Sequence, residues 1–326
     1  MTASLLTRAV HTRAFGIGVA ALVLLAAVLY FSGGHSVSLT GDKGLALPSA
    51  NEWIPAPAAD FAAGICGSIA TLVIMLLLNK VYNVLRTMTS LFIALFSVMQ
   101  LATPDLLTQF YTGTAVAVVV PLCMFFLLSC YRSPESTRHI FIIFLLLSFF
   151  TATQYCYAGF VPVFLVGLGQ MRIFNARSIV AALLGLLTPW WIMLGFGIIT
   201  PSDIRAPYFT SIFSVIDYED TFMLLVSIGV TAFLMLLCYV LNVLRTIAYN
   251  ARARAVNGSF LVLALMTVAL MCIDYRNIVS YVPMLNFCAA LEVSHFFSTH
   301  RAEKSFIAIF VILAVYTAIF VCQTTI

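Results

Sequence analysis

Two stretches decide how this chain is read: Ser227–Thr246, SIGVTAFLMLLCYVLNVLRT, and Ser68–Thr87, SIATLVIMLLLNKVYNVLRT. Laid over one another they match without a gap at ten of twenty positions, and both close on Asn-Val-Leu-Arg-Thr. Leucine matches are cheap in a greasy chain, whereas a shared Asn-x-x-Arg-Thr ending is not. Each stretch is apolar and about the length that crosses a bilayer as a helix. The reading is one membrane-spanning helix that occurs twice, at corresponding places in two related halves.

Composition agrees. Of 326 residues, 63% are hydrophobic and 9% charged, where soluble domains carry roughly a quarter charged. A domain of this size in water still exposes much of its surface, so that much apolar area needs a lipid solvent. The expected fold is all-α, a polytopic transmembrane bundle forming one integral membrane domain over residues 1–326. The eight cysteines, from Cys66 to Cys322, all fall in or beside apolar runs and form no C-x-x-C pair, which marks them as small packing residues. Basic residues interleaved with exposed aromatics are lacking, so nucleic acid is not an expected partner. Membrane lipids are, and Arg252 and Arg254 beside a helix end suit anionic headgroups.

Taken in order, apolar runs predict eleven crossings. They cover Phe15–Phe31, Phe61–Tyr82, Met88–Ala102, Gly113–Tyr131, two short helices within Ile140–Gln170, then Ser178–Ile199, Ser227–Thr246, Gly258–Ile273, Ile278–Ser294 and Ser305–Cys322. Residues 32–60 and 200–220 are the two long polar loops. Ile140–Gln170 as a single helix would be about 46 Å long, against a hydrocarbon core of about 30 Å, so a turn near Gln154-Tyr155 is expected. Pro104-Asp105 is expected to end the third helix.

Charge tests that map, because cytoplasmic loops collect Lys and Arg. Thirteen of the sixteen basic residues fall on the side of the N-terminus; Lys43, Arg205 and Arg276 fall opposite, with nine of the twelve acids. The expected setting is a bacterial cytoplasmic membrane, N-terminus inside and C-terminus outside. The second and eighth helices lie six crossings apart and point the same way. This predicts a parallel repeat of six helices and five, over residues 15–170 and 178–323, related by an axis along the membrane normal.

Candidate chemistry is sparse. Transfer of sugar from a polyprenyl-phosphate donor at the outer face needs a carboxylate base and a cation for the phosphate. Asp42, Glu52, Asp60, Asp203 and Asp274 could supply the first, Arg205 and Arg276 the second. Solvated loops that obey the charge rule explain the same residues, and a local Asp274–Arg276 ion pair explains that turn. Glu292, in the apolar run AALEVSHFF, is a candidate substrate contact because a carboxylate within a span is costly; it could instead reach the interface or pair with Arg301. The two Asn-x-x-Arg-Thr ends could clamp a phosphate, or simply let an arginine snorkel at a helix C-terminus. No H-x-x-H-H or H-E-x-x-H cluster and no phosphate-loop motif occurs, so neither a metal nor another cofactor is expected.

LLLNKVYNVLRTMTSLFIALFSVMQLATPDLL (Leu76–Leu107) and GLGQMRIFNARSIVAALLGLLTPWW (Gly167–Trp191) resemble a family of polytopic bacterial envelope membrane proteins, some labelled beta-carotene monooxygenase. The resemblance implies an envelope membrane protein and brings no catalytic residues. The missing histidine cluster argues against the oxygenase label for this chain. Three functions fit: handling of a lipid-linked envelope precursor at the outer face by glycosyl transfer or export, secondary transport of a small solute, and a non-catalytic assembly subunit.

Overall fold

A computed structural model describes residues 12–34, 44–85, 88–133, 136–205, 218–246, 249–299 and 305–325. Among the described residues the chain is helical throughout, without strands. Twelve α-helices follow in order: α1 (Arg13–Ser32), α2 (Pro57–Tyr82), α3 (Thr89–Leu101), α4 (Pro104–Leu107), α5 (Thr112–Ser129), α6 (Ser136–Thr153), α7 (Val161–Gln170), α8 (Ala176–Gly195), α9 (Tyr218–Thr246), α10 (Ala251–Ile273), α11 (Ile278–Thr299) and α12 (Ser305–Thr325). Eight of them (α1, α2, α5, α6, α8, α9, α10 and α12) are long and apolar enough to cross a membrane. The protein is a polytopic membrane helical bundle.

Each of the eleven expected crossings is a helix, with several boundaries moved: α9 starts at Tyr218 rather than Ser227 and α10 at Ala251 rather than Gly258, and two further differences lie at prolines. Pro104 does not stop the chain after α3; Thr103 breaks the helix, and the proline opens the short α4, where its missing N–H costs nothing. α2 begins at Pro57 for the same reason, inside the expected loop.

The stretch 140–170 turns at Gln154, the amide side chain in its interior. α6 ends at Thr153, Gln154 goes extended, and its side-chain oxygen accepts from Tyr155 N at 3.0 Å. A 3₁₀ turn, Tyr155–Phe160, then leads into α7. The return is fixed by contacts along α10: Tyr155 reaches Asp274 just past its end, Gly159 lies against Leu270, and Ser259 donates to Gln170 at 2.7 Å. α7 therefore runs back along α10, and Gly167 lies against Leu127 near the end of α5.

Contacts of this kind sort all helix ends onto two faces. Gly16 abuts Ser90, Asn79 Nδ2 donates to Thr89, and Gln170 meets Ser259 on one face. Tyr30 donates to Asp105 at 2.8 Å, and Leu45 N donates to Thr153 O at 3.3 Å, on the other. Arg132, Arg138, Arg172, Arg177, Arg245, Arg252 and Arg254 belong to ends on the first, hereafter the basic face. Glu52, Asp60, Asp105, Asp203 and Asp274 belong to the second, the acidic face.

Burial separates centre from rim. In the apolar window of α5, 72% of residues are buried, against 17% in α12 and 22% in α1, so α5 is interior and the other two face lipid. Leu22, Leu25 and Leu29 of α1, and Leu183, Leu187 and Trp191 of α8, stand exposed, which suits hydrocarbon. α11 is the axis of the bundle, packed against α3, α5, α9 and α10. It is less apolar than the eight crossing helices and carries Asn286, Glu292, Ser294 and His295, all buried. Surrounded by protein rather than lipid, it can hold polar groups that a rim helix could not.

Candidate functional site

The expected carboxylates of the acidic face do not converge among the described residues. Asp42 lies outside them. Glu52 is exposed at the end of a 3₁₀ turn, Ala50–Glu52, that buries Ala50. Asp60 accepts from Phe110 N at 2.9 Å and so ties α2 to the start of α5. Asp203 closes its own turn, accepting from Thr200 N at 2.7 Å and Thr200 Oγ1 at 2.8 Å; the backbone bond, then the hydroxyl, hold its carboxyl below the ordinary range. The Arg205 side chain is exposed, and its backbone N donates to Leu45 O at 2.8 Å, joining the two long loops. The backbone of Arg276 lies in the turn Tyr275–Asn277, and its side chain is outside the described part.

Asp274 is held where α10 gives way to α11. It accepts from Tyr155 at 3.0 and 2.9 Å, from Asn277 Nδ2 at 2.8 Å and from Tyr281 at 3.0 Å, while Asn277 also donates to the Tyr155 hydroxyl. Phenols and an amide are its partners among the described residues, and the Arg276 side chain lies outside them. The carboxylate binds three segments at one point: the α6–α7 break, the α10 end and the α11 start.

The second buried carboxylate has the least complete set of partners. Glu292 is 2% exposed, near the basic end of α11, and accepts from Asn242 Nδ2 at 2.6 Å; the same nitrogen donates to the Glu292 backbone carbonyl at 2.9 Å. Asn242 Oδ1, also buried, has no partner. One turn on, His295 Nδ1 stands 3.3 Å from Val84 O, and its Nε2 3.3 Å from the Tyr249 hydroxyl. A carbonyl only accepts, so Nδ1 carries the proton, and Nε2 accepts from Tyr249 in the neutral ring.

This places the repeated signature. Its two copies, alike in sequence, are unlike in structure. In the first, α2 stops at Tyr82, Asn83 turns left-handed at φ 55°, and Val84 and Leu85 are buried. In the second, α9 continues through Thr246 with Asn242 inside it. Both copies nevertheless converge on one turn of α11: Asn242 of the second meets Glu292, and Val84 of the first meets His295. Among the described residues, the two signature ends thus meet on α11. Arg86 and Arg301 lie outside those residues, and Arg245 is half-buried.

Glu292 was legible in sequence as a lone carboxylate in a span. His295, Tyr249 and the Asp274 partners were not singled out. A signal existed for part of them: Asn277, Tyr281, Cys288, Glu292 and His295 fall at helical spacing on one stripe of α11. All eight cysteines are free thiols, and no group of three or more His, Cys, Asp or Glu side chains suited to a metal occurs among the described residues. No family model, no curated protein and no solved structure matches the chain.

Proposed function

We propose that this protein is a secondary transporter of a small solute in the bacterial cytoplasmic membrane, and that Glu292 takes up the coupled proton. The observation that carries the reading is the Glu292–Asn242 pair with its orphan Oδ1. A carboxyl holding a proton can donate to that oxygen; a carboxylate cannot. One proton therefore changes how α9 and α11 bind each other, which is what coupling requires. His295 and Tyr249 continue the polar line toward the basic face, and Asp274, Tyr281 and Asn277 mark its far end. The interface between α3 and α11 is not dry either, since Asn286 Nδ2 donates to Gln100 Oε1 at 3.2 Å. The parallel repeat belongs to this reading: α2 packs on α5 as α9 packs on α11. The test is proton flux in proteoliposomes loaded with a pH-sensitive dye, with a panel of amino acids, sugars and organic acids outside. At least one solute should carry protons inward with the wild type and none with E292Q. A solute carried equally by both removes Glu292 from the coupling.

A second reading, handling of a polyprenyl-phosphate-linked envelope precursor at the acidic face, is favoured by one contact. Arg205 N to Leu45 O brings both long loops together over the end of α6, where Asp203 and Arg205 are exposed. Single replacement of Asp42, Glu52, Asp60, Asp203 and Asp274 without change in the envelope glycan would remove its enzymatic form.

A further inference from the structure

α6 and α8 run side by side in the same direction and are in backbone contact at mid-length. A Cβ on Gly185 would lie 2.6 Å from Phe141 O, and Ser148 Oγ donates to Leu186 O at 2.6 Å. α8 packs chiefly on α6 and turns its outer side to lipid through Val180, Leu183, Leu184 and Leu187. Toward the basic face a cleft of about 690 Å³ lies between them, open to the surroundings. Phe141, Val180, Ala181 and Leu184 give it apolar walls, and Arg138 of α6 and Arg177 of α8 stand at its mouth.

Both arginines are exposed, and no carboxylate among the described residues meets either guanidinium. Both sit in the first turn of their helix, where the backbone adds positive potential. An arginine pair needs no such cleft merely to be solvated, and an apolar lipid tail needs no arginines. Together they match a molecule with both parts: a phosphodiester held by two planar, multiply donating cations, with an acyl chain laid along the apolar wall. Basic pockets between membrane helices select anionic headgroups in this way.

We infer that the α6–α8 cleft is a binding site for an anionic glycerophospholipid, its headgroup phosphate between Arg138 and Arg177. The site is separate from the Glu292 cluster and does not rest on the transport reading. Each basic residue beside an anionic lipid is worth about a fivefold gain in affinity, so removing both should lower it roughly twentyfold or more.

The experiment is native mass spectrometry of the full-length protein in detergent, titrated with phosphatidylglycerol or phosphatidylcholine of identical chains. Wild type should retain phosphatidylglycerol preferentially, R138Q/R177Q should lose that preference, and R138K/R177K should keep part of it. V180W, which fills the cleft with both arginines intact, should lose it as well, and stands as the test if the arginine double variant does not fold. Equal retention of the two lipids by wild type, or an unchanged preference in R138Q/R177Q or in V180W, overturns the site.

Discussion

Asn242 Nδ2 lies 2.6 Å from Glu292 Oε2, while the other atom of the same amide, Oδ1, is buried and unpartnered. Half of a reciprocal pair is made. A neutral donor at position 292 would complete it.

E292Q is therefore expected to stabilise the protein, because the Gln amide both accepts from Asn242 Nδ2 and donates to Oδ1. The gain should be about 1 kcal/mol, the worth of one internal hydrogen bond. E292L, which leaves the Asn242 amide short of partners, should cost about 1–3 kcal/mol. Thermal unfolding in micelles at neutral pH reads both, and E292Q less stable than wild type would show that the carboxylate is needed for another partner.

Asp274 should behave in the opposite way, since every group around it is already paired. D274A takes the acceptor from the phenols of Tyr155 and Tyr281 and one acceptor from the Asn277 amide, and should cost more than Y155F or Y281F, each about 1–2 kcal/mol. The same unfolding assay ranks them, and D274A milder than Y281F would show that the cluster is solvated.

Gly185 should tolerate no side chain. G185V puts carbon against the Phe141 carbonyl and should cost about 1–3 kcal/mol by forcing α8 off α6. G195A, with nothing within 4 Å of the added carbon, should be close to neutral in the same measurement.

The turn Thr200–Asp203 should depend on pH. Asp203 is held below the ordinary carboxylate value of about 3.9, so its contribution is complete above that value and is lost as pH falls through the lower folded one. The protection factor of the Thr200 amide, its slowing relative to an unfolded amide at the same pH, should be full from mid-range pH upward and fall below about pH 4. In D203A it should be lost throughout; protection that persists in D203A would show the turn held elsewhere.

Single cysteines at Glu52 and Arg254 should label from opposite sides of intact cells. Cys66, Cys272 and Cys322 are exposed and must be replaced first. Labelling of both from the same side would break the two-face arrangement.

Much of the fold was legible because membrane helices announce themselves: every apolar run became a helix, and the long run broke at Gln154, the amide in its interior. Helix starts at prolines were less legible, because Pro57 and Pro104 read equally well as loop and as first turn. The site was legible only as far as single residues go. A carboxylate in a span can be seen from sequence, but the partner that matters to Glu292 is 50 residues away, and the one that matters to His295 is 211 away. The repeated signature misled in one respect. Identical words were given different backbones: Asn83 caps a helix and Asn242 continues one.

The central position of α11 also bears on how the chain is made. Segments enter a bilayer from the translocon according to their own apolarity, and asparagine, glutamate and histidine in one helix weigh against release into lipid. α11 is thus poorly suited to insertion by itself, and has to go in alongside neighbours already there, α9 and α10 before all others. A polypeptide lacking residues 218–273 would leave α11 without the company it needs, which makes α9, α10 and α11 a unit of biogenesis as well as of structure.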